Sequence, residues 1–449
     1  MRTAGIHNAP VPHSARVATG PAAAGPPESP PIGLPRLLPA TAGPVDLGTH
    51  LSLYGPSPMF DRGEGAELLV EVSHAGLLGR GGAGFPMARK LAAVRSRSRH
   101  NRAVVVANGT EGEPAVVKDR VLLARSPHLV LDGAEVAAQV VGAQRVVVVV
   151  RRGMEAGVEE AVSEREAAGI DPVRVELVIS APGFVAGEAS AVVNWVASGR
   201  SLPRLTPPRL AQQGIGGRPT LVQNVETLAH LALVARFGAA WFRTVGDDEP
   251  GSMLVTLAGA AVHQEVHEVA LGTPLRALVE LAGVALETLA ALLVGGYAGT
   301  WVRASEAATL RLSRASLGTV GASPGAGLVA LLPRGRCGLA ETAHLARYLA
   351  DESVGQCGPC LFGLDAIAGA LERLAVWSDV GAGAGAGAGL TRLTHWLAQV
   401  EGRGACGHPD GVVRMVRSAL LAFSDEVEMH RSGWCSGRGA GPILPVPAA

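Results

Sequence analysis

The chain of 449 residues is poor in cysteine, net charge, long apolar runs and lysine. Its five cysteines, Cys337, Cys357, Cys360, Cys406 and Cys435, all lie after position 336. That is too few and too uneven for a secreted disulfide scaffold, so a reduced, cytoplasmic setting is expected. Lys+Arg 39 cancels Asp+Glu 39. Without a long-range field there is no basis for a nucleic-acid partner or for binding to an anionic membrane surface. No apolar run reaches the roughly 18 residues a membrane span needs. The valine-rich stretch Val146–Val150 is cut by Arg145 and Arg151. Lysine is reduced to Lys90 and Lys118, which are either survivors by chance or candidates for sites where a compact ammonium is not exchangeable for a planar guanidinium.

What is present suits a folded chain. Hydrophobic residues make up 48%, enough at roughly 100–200 residues per domain for two to four domains with real cores. Gly 59 and Pro 30 are about a fifth of the chain, below the roughly 25–30% of low-complexity sequences. Proline is concentrated at the start, so residues 1–50 are expected to form a Pro-rich flexible tail. The valine-rich runs Ala103–Ala107, Arg145–Val150 and Arg174–Ser180 alternate with helical patterns at 131–142 and 154–168. Buried strands alternating with helices predict a parallel α/β sheet over 51–245. Isolated strands at Met253–Ala258, Val266–Ala270 and 291–295 with a helix at 274–282 predict a small α+β domain over 246–333. Residues 334–432 read as a helical bundle, with the Gly-Ala repeat Gly381–Gly389 as a linker between its helices and 433–449 as a second flexible tail.

Four loops carry candidate chemistry. In Gly79-Arg80-Gly81-Gly82-Ala83-Gly84-Phe85-Pro86 the glycines let the backbone approach a ligand and turn N–H groups toward anionic oxygens, with Lys90 supplying a point charge. It is not a Walker loop, since no Gly-Lys-Ser/Thr ending follows, and a glycine turn with no ligand remains open. Asn108-Gly-Thr110-Glu111-Gly-Glu113-Pro follows a strand, where open α/β sheets bind ligands, so Asn108, Glu111 and Glu113 face a ring or ribose, or else form a polar helix cap. Pro182 to Glu188 repeats that geometry, and Gly216 to Thr227 opens another helix. Cys357-Gly-Pro-Cys360, with Cys406 further on, permits a redox dithiol, half a zinc site or part of an iron–sulfur cluster. Cys337 and Cys435 read as plain buried thiols.

In this order the segments GRGGAGFP with Lys90, ANGTEGEP…KDR, VAGEASA, PRLTPP…GGRPTLVQNVETLA and ESVGQCGPC…GACG resemble the family of NADH-binding flavoprotein (F) subunits of respiratory complex I, shared with diaphorase subunits of NAD-linked hydrogenases and formate dehydrogenases. The resemblance covers about 55–430. It implies an FMN-binding α/β domain, a ubiquitin-like (SLBB-type) α+β domain and a helical domain ligating a 4Fe–4S cluster. It further implies electron entry from NAD(P)H through FMN to the cluster, and partners among other redox subunits or ferredoxin-like proteins, membrane-peripheral at most. Carried over by position, Gly79, Arg80, Gly81, Gly82, Gly84, Lys90, Asn108, Glu111, Gly187, Glu188, Asn224 and Thr227 hold the flavin. Phe85 and Glu113 face the nicotinamide nucleotide, with Glu113 in the catalytic role, and Cys357, Cys360 and Cys406 ligate iron. Lys118 reads as structural.

The chain departs from the family pattern at Thr110 for Asp, Phe184 for Tyr, Ala189 for an acid, and Thr206 and Arg209 for a Lys and a Phe that help bind NADH. Loss of a stacked aromatic removes on the order of 0.5–1.5 kcal/mol, about tenfold in affinity. Val354 replaces the first cluster cysteine. That leaves a 3Fe–4S cluster, a four-iron cluster completed by His408, Cys337 or Cys435, or none. The competing readings are a non-catalytic structural paralogue that keeps the fold and partner binding, and a phosphate-binding α/β enzyme of other chemistry, for which no nucleophile–base pair is evident.

Overall fold

The computed structural model describes residues 33–40, 43–60, 64–98, 102–205, 208–247, 249–375, 385–437 and 440–447. Four parallel strands, β1 (Ala103–Gly109), β2 (Ala143–Val150), β3 (Arg174–Ile179) and β4 (Thr220–Asn224), form a sheet in the order β3-β2-β1-β4. Alternate valines explain why the sheet needs cover on both faces. Val105, Ala107, Val146, Val148 and Val150 pack with the helices Pro127–Val141 and Val225–Phe242. Val104, Val106, Val147, Val149 and Val222 pack with Val192 and Val193 of the helix Ala189–Ser198. The two helices of the first face come so close that a Cβ on Gly133 would stand 1.8 Å from the Leu228 carbonyl oxygen, so only glycine fits. Because β1 lies between β2 and β4, the chain reverses its direction of winding at the β1/β4 pair. There Asn108 and Asn224 are register partners at the carboxyl ends, the position at which open α/β sheets bind ligands.

A second sheet comprises β5 (Ser252–Gly259), β6 (Glu265–Ala270), β7 (Leu289–Val294), β8 (Thr300–Arg303) and β9 (Leu328–Pro333), ordered β6-β5-β9-β7-β8. β5 runs parallel to β9 and the other pairs are antiparallel. One face buries Leu275, Leu278 and Val279 of the helix Leu275–Leu281. The third region stacks the helix Gly338–Asp351 with the helices Leu364–Ala375, Gly385–Val400, His408–Ala422 and Ser424–Arg431, which follow a π-turn at Pro359–Gly363.

Several expectations need correction. β4, which falls in a stretch read as a loop opening a helix, is a strand of five residues, too short to show a period. The Gly-Ala repeat is helical from Gly385, since alanine favours helix and the sequence-neighbouring turns continue it; 381–384 lie outside the described residues. The first tail stops well before 50. Arg36 is 1% exposed, its guanidinium lies 3.9 Å from the Trp241 ring centroid, and its amide and that of Leu37 each donate at 2.7 Å to Glu268 of β6. Residues 1–32 lie outside the described residues. The second tail is also docked: Leu444 is buried, and the Ile443 and Leu444 amides donate at 2.9 Å to the Glu341 carboxylate. Buried carboxylates capture these extended segments because backbone N–H groups must find acceptors.

Candidate functional site

A cleft of about 310 Å3 opens where the three regions meet at the β1/β4 carboxyl ends. The glycine loop contributes Arg80 and Gly81, the β1 loop Asn108 to Glu113, the turn Phe184–Gly187 and Glu188 a third side, and the bundle Cys406 and His408. The glycine loop is pinned at its base, where Gly79 N–H donates to the Phe85 carbonyl at 3.0 Å. Thr227 sits beneath it, its hydroxyl accepting from the Arg80 amide at 2.8 Å. Gly82 has φ +105°, and nothing lies within 4 Å of where its Cβ would be. A Cβ on Gly112 would stand 2.3 Å from the Phe184 carbonyl oxygen, so the β1 loop and the 184–187 turn close on each other only through glycine.

Beneath the cleft lies a buried ionic cluster. Lys118 Nζ donates to Asp119 Oδ1 at 2.6 Å and pairs with Glu226 at 2.8 Å. Asp119 Oδ2 accepts from Asn224 Nδ2 at 2.6 Å, while Asn224 Oδ1 caps the helix Val225–Phe242 through the Glu226 amide at 3.0 Å. The two carboxylates hold the Lys118 pKa above its usual value in spite of burial, so it is a fixed cation. Glu111 accepts the Asp119 and Arg120 amides at 2.6 and 3.3 Å; burial, then the nearby Asp119 charge, pushes its pKa up to about 8. Glu113 accepts the Tyr297 amide at 2.7 Å, and burial raises its pKa to about 7 against that bond.

The residues expected from sequence divide into groups. Arg80, Gly81, Asn108, Glu111, Glu113, Gly187, Glu188, Asn224 and Cys406 line the one cleft. Glu188 also caps the helix Ala189–Ser198, accepting from the Ser190 and Ala191 amides at 2.8 and 2.9 Å. Gly79 and Thr227 support the loop from behind. Lys90 Nζ donates to the Val222 carbonyl at 2.5 Å and Gln223 Oε1 at 2.9 Å. Burial lowers its pKa to about 8 although Glu188 opposes this. Phe85 is 46% exposed, outside the cleft lining, with the Arg89 guanidinium 5.5 Å from its ring centroid. Gly84 is covered by Arg314, whose guanidinium occupies the space of a Cβ there. Thr206 lies outside the described residues. Lys118, which the sequence reads as structural, lines the cleft with Asp119; the rarity of lysine is the one sequence signal that marks it. Phe184 also lines the cleft, its ring centroid 5.1 Å from that of His408.

Three polar atoms on cleft-lining residues are buried with no hydrogen-bond partner: Arg80 Nη2, Thr110 Oγ1 and His408 Nδ1. Unmet polar groups cost about 1–3 kcal/mol each, so such atoms on residues around one cleft fit a polar ligand.

Beside the cleft, Cys357 and Cys360 flank the start of the π-turn. The Cys360 thiol is pushed up to about 12 by burial and by Cys357, with Cys406 also acting on it. Among the described residues these three do not draw their sulfurs within the 4.8 Å that ligands of one ion share. Cys337 and Cys435 do not complete this set; they gather instead around His430.

Residues 72–233 match the family described as Nuo51 FMN-binding domain, and residues 340–430 the NADH-ubiquinone oxidoreductase-F iron-sulfur binding region. The chain is 31% identical over 381 residues to the second of the F subunits of NADH-quinone oxidoreductase in Rhizobium meliloti, covering 81% of this chain and 88% of that protein. It is 29% identical to the corresponding F subunit of Streptomyces coelicolor, covering 82% and 83%. A crystal structure of an NAD+-reducing [NiFe]-hydrogenase in the H2-reduced state superposes with a TM-score of 0.72 at 32% identity, over 82% of this chain and 63% of the hydrogenase chain. This chain therefore spans somewhat less than two thirds of that solved chain. With its glycine loop, β1/β4 cleft and adjoining cysteines, the chain belongs to the family of NADH-quinone oxidoreductase F subunits.

Proposed function

We propose that the protein is the NADH-oxidising electron-entry subunit of a multi-subunit redox assembly, with FMN in the β1/β4 cleft and an iron–sulfur cluster on Cys357, Cys360 and Cys406. The observation that carries this is the set of buried, unpartnered polar atoms on Arg80, Thr110 and His408 around one cleft that also reaches Cys406. FMN, when bound, accepts a hydride and releases electrons singly, and the protein's part is to hold and orient it. Asn108 and Asn224 present amides at the strand ends, and Arg80 offers its free Nη2 to an anionic oxygen. Lys90 uses two of its N–H groups on Val222 and Gln223 and keeps the third for phosphate. Glu113, with a pKa near neutrality, holds or releases a proton beside the nicotinamide.

Val354 leaves the cluster one thiolate short, which supports either three irons or a corner filled by a non-cysteine donor; the candidate is His408, whose Nδ1 lacks a partner. The strand order β6-β5-β9-β7-β8, second-first-fifth-third-fourth within its domain, supports the ubiquitin-like (SLBB-type) reading of the middle domain. Among the described residues no helix is long and apolar enough to cross a membrane, and attachment through partner subunits is the reading we adopt.

Absorption spectra of anaerobically reconstituted protein, before and after NADH, test this. Flavin bands that NADH bleaches are expected, with iron and acid-labile sulfide in the same fractions. A protein that takes up neither flavin nor iron overturns the proposal.

A further inference from the structure

The two cysteines outside the cluster, Cys337 and Cys435, come together with His430 at the other end of the bundle, their ligand atoms all within 4.8 Å of one another. We infer that Cys337, His430 and Cys435 form a structural site for a single divalent transition-metal ion of the zinc type, with Glu426 supplying the fourth corner, and that this ion fastens the C-terminal segment to the bundle.

The geometry is that of one ion. Tetrahedral zinc with bonds of about 2.3 Å to sulfur and about 2.05 Å to nitrogen sets sulfur and nitrogen ligands about 3.5 Å apart. Cys337 Sγ stands 3.5 Å from His430 Nε2. The His430 ring is fixed from behind: Nδ1 lies 2.9 Å from the Leu374 carbonyl, so Nδ1–H donates there and the Nε2 lone pair faces Cys337. An imidazole held by a backbone carbonyl in this way is the usual support of a metal-binding histidine. Cys337 caps the helix Gly338–Asp351, its sulfur accepting the Ala340 amide at 3.3 Å, which fixes the position of the sulfur. Glu426 lies one turn before His430 on the same helix face and interacts with the Cys337 thiol; its Oε2 is buried with no hydrogen-bond partner. Its other oxygen, Oε1, accepts from the Ser436 hydroxyl, which leaves Oε2 as the atom that would turn to the ion.

Cys337 and His430 are 7% and 8% exposed, so bulk water does not compete strongly. Gly437 lets the tail pass against this point: a Cβ there would stand 2.3 Å from the Cys337 amide nitrogen. Mixed thiolate, imidazole and carboxylate donors suit zinc among the available divalent ions. Binding displaces the two thiol protons to solvent and leaves the metal's oxidation state unchanged.

The full chain, grown with zinc and freed of loose metal by gel filtration, is assayed separately for zinc and iron. One zinc per chain is expected, lost in Cys435→Ser and retained in Cys357→Ser, which loses iron instead. Cobalt(II) added to zinc-stripped protein gives a thiolate-to-cobalt band that Cys435→Ser reduces by about half. In wild-type protein, chelation of zinc speeds proteolytic cleavage after residue 433, a readout that does not depend on the variant folding. Wild-type protein that takes up no zinc from a stoichiometric zinc salt overturns the inference. So does zinc that stays in Cys435→Ser and leaves with Cys357→Ser, or a peptide in which Cys337 and Cys435 are joined with loss of two hydrogens, which assigns the pair to a disulfide.

Discussion

The two lysines separate two roles that one residue type can play. Lys118 faces two buried carboxylates, and its removal leaves Asp119 and Glu226 uncompensated. Lys118→Met is expected to cost about 3–5 kcal/mol in urea unfolding and to lower flavin retention with it. Lys90 has no such pair in contact, and its pKa stands near 8 against an ordinary 10.5 because burial disfavours the ammonium. Between those values the unfolded chain binds more protons, so its penalty on stability is full below about pH 8 and is relieved as pH rises toward 10.5. Its service to a phosphate runs the other way: FMN affinity of the flavin-free protein is expected to fall as pH rises through about 8, and Lys90→Met to be weak and flat across that window by fluorescence titration. Glu113 has the opposite sign. Its raised pKa makes the folded state the stronger proton binder, so its stabilising contribution is full below about pH 4.5 and lost as pH rises through about 7. Activity with NADH is expected to bend near pH 7, and Glu113→Gln to remove the bend; a profile unchanged by that substitution sinks the proton role.

At the scale of elements, the cleft depends on segments meeting without side chains between them. The contact of the Gly112 loop with the turn Phe184–Gly187 is backbone against backbone. Gly112→Ala is therefore expected to cost about 1–3 kcal/mol by overpacking and to lower bound FMN at least tenfold, read by absorbance after gel filtration. β1 and β2 were legible because each carries a run of valines, and a parallel sheet buries such runs on both faces. β4 was not, since Thr220–Asn224 carries only two aliphatic residues and owes its conformation to pairing with β1. The glycine loop and the strand-end amides were legible as motifs. The burial of Thr227 behind the loop was not, because spacing along a chain does not say which side of a backbone a hydroxyl faces. Phe85, read as facing the nicotinamide nucleotide, stands exposed beside Arg89, which no spacing along the chain specifies.

At the scale of the whole molecule, extended segments tie the regions together. Arg36 and Leu37 bind Glu268 of the second sheet, and Glu341 at the start of the bundle holds Ile443 and Leu444. Tyr297 connects the far end to the cleft, since its hydroxyl donates to the Pro445 carbonyl and its amide to Glu113. A chain ended at Ser436 keeps every cysteine and loses this tie. It is expected to melt several degrees lower, at about 2–4 °C per kcal/mol for domains of this size, and to shift the pH profile attributed to Glu113. An unchanged melting temperature and profile would show that the tie is passive. The sequence by itself determined the parallel sheet, the small second sheet, the bundle, the glycine-rich and strand-end loops and the order of the cysteine motifs, because hydrophobic period and motif order are local properties of a chain. Only the tertiary structure decided that Lys118 is clamped by carboxylates, that Lys90 turns to Val222 and Gln223 of β4, and that Cys337 and Cys435 meet His430 rather than Cys357, Cys360 and Cys406. Those facts depend on distances between residues far apart along the chain, which close only when the elements pack.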